Sequence, residues 1–260
     1  MARYAIGIEY SGSAYCGWQR QLHCESVQQH VESAIAFVAN HGIELACAGR
    51  TDSGVHAIEQ VAHFESDSIR SERAWLLGAN CRLPPDIRLM WVVPVAEDFH
   101  ARFSAEARAY RYIIYSSNVA SAVFHDRMCW QFRPLDHLKM NECAQVLVGE
   151  HDFSAFRAAG CQAKSSTRCI HSLEISRVGD LIYLDIKANA FLYHMVRNIA
   201  GSLMTVGRGD QDGAWFRKVF QSNNRNLADA TAPASGLYFL KAYYPVQYKL
   251  PTELKKPLLF

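Results

Sequence analysis

The chain has 260 residues, of which 50% are hydrophobic and 20% charged, and its formal net charge is +2. This balance is typical of a folded globular protein and excludes disordered and fibrous chains. The low net charge also excludes nucleic-acid binding through bulk charge alone, although a local basic face is compatible with it.

The N-terminus lacks an apolar signal-peptide core, and no run of about 18 apolar residues predicts a membrane span. We therefore expect a cytoplasmic protein with no membrane partner. The eight cysteines form no C-x-x-C pair and no zinc-finger spacing. We expect buried free thiols, because a chain of this length does not need disulfides.

The first hundred residues predict alternating strands and helices. Residues 2–10 alternate apolar and polar, which is typical of a strand. Ser26 opens the capping-box sequence SVQQ, so we expect a helix that begins there and ends at Gly42. We also predict a helix over 71–79 and strands over 43–48, 60–65 and 87–95.

The second half repeats this mixture. Gly179 and Asp180 separate two alternating segments and predict a hairpin. Asp136 and Asp210 are the expected caps of two helices, which end near 148 and 221. We further predict a long helix over 190–206 and strands over 110–115, 171–178, 180–188 and 237–244.

This order of elements predicts an α+β fold, because hairpins occur and no regular β-α-β alternation does. We expect mainly antiparallel sheets flanked by helices. The two halves are loosely similar, which suggests two related modules, 1–105 and 106–245, followed by a tail over 246–260.

The loop GRTDSGVHA contains the first candidate for chemistry. Two glycines permit a tight turn that can expose Asp52, and Arg50 favours its ionised form. A fixed, ionised carboxylate can act as a nucleophile. The alternatives are an ordinary turn with an Asp–backbone hydrogen bond and a metal site formed by Asp52 with His56 and His63.

Other enzyme classes lack their motifs. The sequence contains no G-x-S-x-G, no G-x-x-x-x-G-K-[ST], no G-x-G-x-x-G and no H-E-x-x-H. Serine hydrolases, nucleotide-binding enzymes of these classes and zinc proteases of the last class are therefore not indicated.

Two further segments combine aromatic and basic residues. In ARAYRYIIYSS, Tyr110 and Tyr112 lie on one side of a predicted strand, where they can stack on bases or simply pack in a half-buried sheet. In NAFLYHMVRNIAGSL, Arg197 interrupts an apolar helix. It either lies on a solvated helix face or pairs with a carboxylate such as Asp52.

Together, YSGSAYCGWQRQ, GRTDSGVHA, FHARFSAEARAYRYIIY and NAFLYHMVRNIAGSL resemble the tRNA pseudouridine synthase A family, in the same order along the chain. The resemblance implies isomerisation of uridine to pseudouridine at positions 38, 39 and 40 of the tRNA anticodon stem-loop. It also implies a homodimer without cofactor or metal, in which two α+β modules flank a positively charged active-site cleft.

The resemblance also implies roles for individual residues. Asp52 matches the family's nucleophile, and Arg50 matches the arginine that displaces the target base. Tyr110 matches the tyrosine that packs on the uracil, and Arg197 matches the arginine that pairs with the nucleophile. Leu237, in SGLYFL, matches an apolar residue beside the base.

This chain departs from the family pattern at Ser53, where many members have alanine, and in the tail after Pro245, which has no recognised counterpart. The main alternative function is a non-catalytic RNA-binding module in which Asp52 is only a turn residue. Release of tritium from uracil C5 distinguishes the two functions, because binding alone releases none.

Overall fold

A computed structural model describes residues 1–251. They fold into strands and five α-helices, with mainly antiparallel pairing, which confirms the α+β class. Two compact units are present: Met1–Arg108 with residues 238–251, and Ala109–Leu237. Residues 252–260, most of the predicted tail, lie outside the described range. None of the helices in the described range is long and apolar enough to cross a membrane. That the modules 1–105 and 106–245 are related to each other remains a prediction.

The sheet of the first unit has the strand order β4-β1-β3-β10, with β2 also paired to β3. Strands β1 and β4 are antiparallel neighbours, as are β1 and β3, whereas β10 runs parallel to β3. Strand β2 covers only part of the predicted 43–48 segment. The strands are β1 Ala2–Tyr10, β2 Ala46–Cys47, β3 His56–Ser66, β4 Ile87–Val95 and β10 Leu237–Tyr243.

Two helices belong to the first unit, α1 Val27–Ala39 and α2 Glu72–Asn80. Serine caps both, because the hydroxyls of Ser26 and Ser71 accept backbone N–H groups of the first turn. The prediction that Gly42 ends α1 is wrong. Asn40 ends it instead in the left-handed conformation, with φ 58°, which Asn tolerates better than most residues.

The sheet of the second unit has the order β5-β9-β8-β7, and β6 runs parallel to β5. Strands β8 and β9 form the predicted hairpin, with Gly179 at φ 58° in its turn. The short strands β6 and β7 were not predicted. The ranges are β5 Ala107–Ser116, β6 Cys129–Gln131, β7 Gly149–Asp152, β8 Thr167–Val178 and β9 Leu181–Ala188.

The helices of the second unit are α3 His137–Ala144, α4 Met195–Gly207 and α5 Gly213–Gln221. Asp136 caps α3 as predicted. Short 3-10 helices complete the described chain at Gln145–Leu147, Ser154–Phe156, Arg225–Leu227, Ala234–Gly236 and Val246–Tyr248.

Two predicted helix starts are wrong. Helix α4 begins five residues later than the predicted 190, because His194 has φ 59° and cannot continue a right-handed helix. Helix α5 is capped by Asp212, whose side chain accepts the Trp215 N–H. Asp210 is instead engaged in ion pairs with Arg133 and Arg208.

The expectation of free thiols is wrong for one pair of cysteines. Cys16 and Cys24 form a disulfide across eight residues of chain, with their Cα atoms 6.2 Å apart. The remaining six cysteines are free, but only Cys129 is buried among them, so the expected burial is wrong for the other five. Sequence spacing did not indicate this pair, because the turn that brings the two residues together carries no disulfide motif.

Candidate active site

Asp52 lies in the loop Gly49–Val55, between β2 and β3 of the first unit. Its side chain is half-buried, and that of Arg50 is exposed. The Val55 N–H donates to the Asp52 carbonyl at 3.1 Å, and Gly54 has φ 78°, so the backbone turns tightly just after Asp52. The turn thus leaves the carboxylate and the guanidinium partly accessible to solvent.

The residue before Asp52 is held on two sides. Thr51 is buried, and its hydroxyl forms a 2.7 Å hydrogen bond with the Tyr10 phenol. Its carbonyl accepts the backbone N–H of Trp18 at 3.0 Å, and the Trp18 ring is itself buried. Because both ends of Thr51 are fixed, the position from which the Asp52 side chain projects is fixed too.

The segment 11–18 packs so closely on this loop that only glycine fits at two places. A Cβ on Gly12 would lie 2.0 Å from the Val55 carbonyl oxygen. A Cβ on Gly17 would lie 2.6 Å from the Thr51 carbonyl oxygen, and Gly17 also has φ 95°. These contacts, together with Tyr10 and Trp18, were missed by the sequence analysis; the Gly-rich run YSGSAYCGW was their only signal.

The histidines do not form the metal site considered from the sequence. His56 and His63 are seven residues apart on β3, which separates them by roughly 20 Å along the strand. His56 Nδ1 accepts the Gly12 N–H at 3.2 Å, and His63 Nδ1 accepts the Ala101 N–H at 3.2 Å. No group of three metal-ligating side chains occurs among residues 1–251.

Tyr110 lies on β5 in the second unit and is 8% exposed. The ring of Phe191 packs edge-on against it, with the ring centroids 4.9 Å apart. Tyr112, on the same side of the strand, is fully buried and donates its hydroxyl to the Pro233 carbonyl at 2.8 Å. Tyr112 is therefore a core residue of this unit.

Arg197 lies in the first turn of α4 and is half-buried. Its Nε donates to the Ala232 carbonyl at 2.8 Å, while the Ala232 N–H donates to the Arg197 carbonyl at 3.1 Å. This reciprocal pair fixes the stem of the guanidinium against the segment before β10.

Asn198, beside Arg197, is fully buried and ties the same segment to α4. Its Oδ1 accepts from Thr231 Oγ1 at 2.7 Å and from Arg225 Nη2 at 3.1 Å. Its Nδ2 donates to the Phe156 carbonyl at 2.8 Å. Every hydrogen-bonding atom of this amide thus has a partner, a role that the apolar helix pattern did not predict.

Replacing Asn198 by Leu is therefore expected to lower the free energy of unfolding by roughly 3 kcal/mol, since the three hydrogen bonds of a fully buried amide are lost. The midpoint of thermal unfolding should fall by roughly 6 °C or more. Asn226→Leu, at an exposed position, is the control and should unfold as the wild type does. An unchanged midpoint for Asn198→Leu would contradict the role of this network.

Leu237 is the first residue of β10 and is 6% exposed. A Cβ on the preceding Gly236 would lie 2.8 Å from the Ile113 carbonyl oxygen, so the backbone here passes close to β5. The structure thus places Asp52 and Arg50 together in one loop of the first unit. Tyr110 and Arg197 belong to the second unit, as does Leu237, the last residue of that unit and the first of β10. The combination of all five in one catalytic site remains a prediction.

Comparison with known proteins identifies the chain's relatives. The model of the PseudoU_synth_1 family, described as tRNA pseudouridine synthase, matches residues 6–104 and 143–245. Among solved structures, a Cbf5-Nop10-Gar1 complex aligns with 12% identity and a TM-score of 0.35, over 91% of this chain and 48% of that chain. A similarity at that level supports no conclusion, so the assignment rests on sequence.

Three curated relatives are each named tRNA pseudouridine synthase A. The protein of Hydrogenovibrio crunogenus is 54% identical over 260 residues, covering 100% of this chain and 99% of the relative. That of Glaesserella parasuis is 49% identical over 258 residues, with 99% and 98% covered. That of Coxiella burnetii is 49% identical over 251 residues, with 96% of each covered. The chain therefore belongs to the tRNA pseudouridine synthase family and is an isomerase of tRNA uridine.

Proposed function

We propose that this isomerase converts uridine to pseudouridine at positions 38, 39 and 40 of the tRNA anticodon stem-loop, with Asp52 as the nucleophile. The observation that carries the proposal is the half-buried Asp52 carboxylate on a loop held by Thr51, Gly12 and Gly17. A nucleophilic carboxylate must be held in one geometry while remaining accessible to substrate, and this loop meets both needs.

The reaction breaks the bond from C1′ to N1 and forms a bond from C1′ to C5, while the C5 proton leaves and N1 gains a proton. No electron or atom is supplied from outside, so the chemistry requires no cofactor. Asp52 attacks C1′ or C6, or assists elimination at the sugar; all three routes need an ionised carboxylate against the extruded nucleotide.

Arg50 assists extrusion of the target base. A uridine in a stacked stem must leave the helix before its C1′ and C5 can be reached, at a cost of a few kcal/mol. The exposed Arg50 guanidinium, two residues before Asp52, can enter the space that the base vacates and bind phosphate.

Tyr110 and Leu237 hold the extruded uracil, with the tyrosine ring packed on its face and the leucine beside it. The edge-on Phe191 ring supports the orientation of the Tyr110 ring. A positioned phenol can also accept the C5 proton in the last step.

In this proposal Arg197 pairs with the Asp52 carboxylate and orients it. The hydrogen bond from Nε to the Ala232 carbonyl orients the guanidinium for this task.

Replacing Arg197 by Ala is expected to lower kcat roughly 100-fold, as loss of a charge-stabilising donor does in other active sites. The unfolding midpoint should fall by only about 2–4 °C, because one hydrogen bond to the Ala232 carbonyl is lost while the backbone hydrogen bond between Ala232 and Arg197 remains. Arg217→Ala, at an exposed position on α5, is the control. A lowered midpoint with normal turnover per folded molecule would contradict the assignment.

The family resemblance further supports a homodimer that works in the cytoplasm. Analytical ultracentrifugation of the purified chain tests the dimer, for which we expect twice the chain mass of 29.3 kDa.

Mapping pseudouridine at nucleotide resolution in tRNA incubated with the purified chain tests the proposed sites. Modification confined to positions 38, 39 and 40 is the expected result. Modification elsewhere in the tRNA, with these positions untouched, would overturn the site assignment while leaving the isomerase activity intact.

A further inference from the structure

The turn 100–105 presents an arginine and a phenylalanine to solvent in the first unit. Phe103 is 76% exposed, and Arg102 is exposed as well. The Arg102 guanidinium lies over the Phe103 ring at 5.5 Å, and the His100 ring packs on it with centroids 4.4 Å apart. Phe103 is therefore largely exposed, although both groups lie against its ring.

The turn is held by its own hydrogen bonds. His100 Nδ1 accepts the N–H groups of Arg102 at 3.1 Å and of Phe103 at 3.3 Å. The His100 N–H donates to Ser104 Oγ at 2.9 Å, and the Ser104 N–H donates to the His100 carbonyl at 2.9 Å. Arg102 and Phe103 therefore project from a defined backbone.

Arg108 connects this turn to the loop that carries Asp52. Its guanidinium donates to the carbonyls of Arg102 at 2.5 Å and Ala105 at 3.0 Å. It also donates to the carbonyl of Ala48 at 3.2 Å, immediately before the Gly49–Val55 loop. One side chain thus holds the exposed turn and the candidate nucleophile loop side by side within a single unit.

The two elements also share a positive field. Burial raises the pKa of the Cys47 thiol to about 12, and the charges of Arg50 and Arg102 both act in the opposite direction. Both guanidinium groups therefore lie near the same sulfur atom. The turn 100–105, HARFSA, contains no acidic residue itself, and the acidic residues nearest to it in sequence are Asp98 and Glu106.

We propose that Arg102 and Phe103 bind the tRNA nucleotide that flanks the extruded uridine, with the Phe103 ring stacked on its base and Arg102 on its phosphate. Extrusion of one base exposes the faces of its neighbours, and an aromatic ring can cover such a face without reading its identity. Arginine suits the adjoining phosphate. The inference rests on the proposed function, since it places this surface beside the reacting nucleotide.

Steady-state kinetics with tRNA test the two residues separately. Phe103→Leu is expected to raise KM roughly tenfold with kcat nearly unchanged, because stacking is lost and the chemistry is not touched. Phe103→Tyr keeps an aromatic ring that can stack and should therefore have the wild-type KM. Arg102→Gln should reduce the slope of log Kd against log salt concentration by about one, whereas Arg102→Lys should keep it.

The first unit contains a matched control. Phe37 on α1 is 62% exposed, and the Arg82 guanidinium lies over its ring at 4.5 Å. Phe37→Leu and Arg82→Gln remove the same chemistry from a pair outside the Asp52 loop. Both should keep the wild-type KM and salt slope.

Binding measured with the Asp52→Asn protein separates this inference from the proposed function. If Phe103→Leu and Arg102→Gln weaken tRNA binding in that background, the surface contacts RNA whether or not Asp52 is the nucleophile. An unchanged Kd in both variants would overturn the inference. So would a Phe103→Leu protein that binds tRNA normally but loses its oligomeric state in ultracentrifugation, because Phe103 would then cover a protein contact.

Discussion

Replacing Asp52 by Asn is expected to lower kcat for pseudouridine formation by a factor of roughly 10⁴ or more, because the amide cannot act as the nucleophile. The change preserves the shape of the side chain. The Val55 N–H donates to the Asp52 carbonyl through the backbone, so the loop should keep its conformation. Nucleoside analysis of modified tRNA measures the loss of turnover, and a binding assay should give a Kd within about threefold of the wild type.

Asp67→Asn is the control for this substitution. Asp67 is an exposed aspartate of the same unit, where it pairs with the N-terminal amine at 3.5 Å. It should keep wild-type turnover. An Asp52→Asn protein that forms pseudouridine at the wild-type rate would remove Asp52 from the chemistry and leave it as a turn residue.

Replacing Gly17 by Ala is expected to have the second-largest effect, through the backbone of the Asp52 loop. The new Cβ would lie 2.6 Å from the Thr51 carbonyl oxygen and 2.9 Å from the Asp52 carbonyl carbon. Either the loop or the segment 11–18 must move, and a displacement of about 1 Å at a catalytic group can cost roughly 100-fold in rate. We expect such a loss in kcat, with stability lowered by roughly 3 kcal/mol.

Gly160→Ala is the control that distinguishes the effect of this steric contact from the effect of the left-handed backbone conformation. Gly160 also has a left-handed φ, 78°, but an added Cβ meets nothing within 4 Å. It should cost about 1 kcal/mol of stability and leave kcat unchanged. Wild-type kcat in folded Gly17→Ala would show that the contact between segment 11–18 and the loop does not position Asp52.

Local signals predicted most of the regular structure. Ser26 and Asp136 cap their helices as predicted, and Gly179 lies in the predicted hairpin turn. The predictions fail where contacts with residues distant in sequence determine the local structure. The sequence predicts Asp210 as a helix cap, but its carboxylate accepts a hydrogen bond from Arg133, which lies 77 residues away in sequence.

The same distinction between local motifs and distant contacts holds for the candidate site. The motif around Asp52 and Arg50 could be recognised from consecutive residues. The contacts that hold it could not, because Thr51 bonds with Tyr10 across 41 residues and its fit depends on Gly17 lacking a side chain. The satisfied amide of Asn198 was missed for a similar reason, since its partners lie between 27 and 42 residues away in sequence.

Arg102 and Phe103 lie in FHARFSAEARAYRYIIY, one of the segments that resemble the family, but the sequence predicted no role for either residue. Only the structure shows that Arg108 connects it to the residue preceding the Asp52 loop. Surface exposure of a large apolar side chain is not predictable from a single sequence, because alternation does not reveal which side of a turn faces solvent.

Release of tritium from tRNA labelled at uracil C5 tests the central claim most directly, since the label leaves only when the new carbon–carbon bond replaces that hydrogen. The wild-type chain should release one tritium for each uridine converted, and Asp52→Asn should release none while still binding the RNA. Release by Asp52→Asn at the wild-type rate, or its absence in a wild-type chain that binds tRNA, would contradict catalysis by this carboxylate.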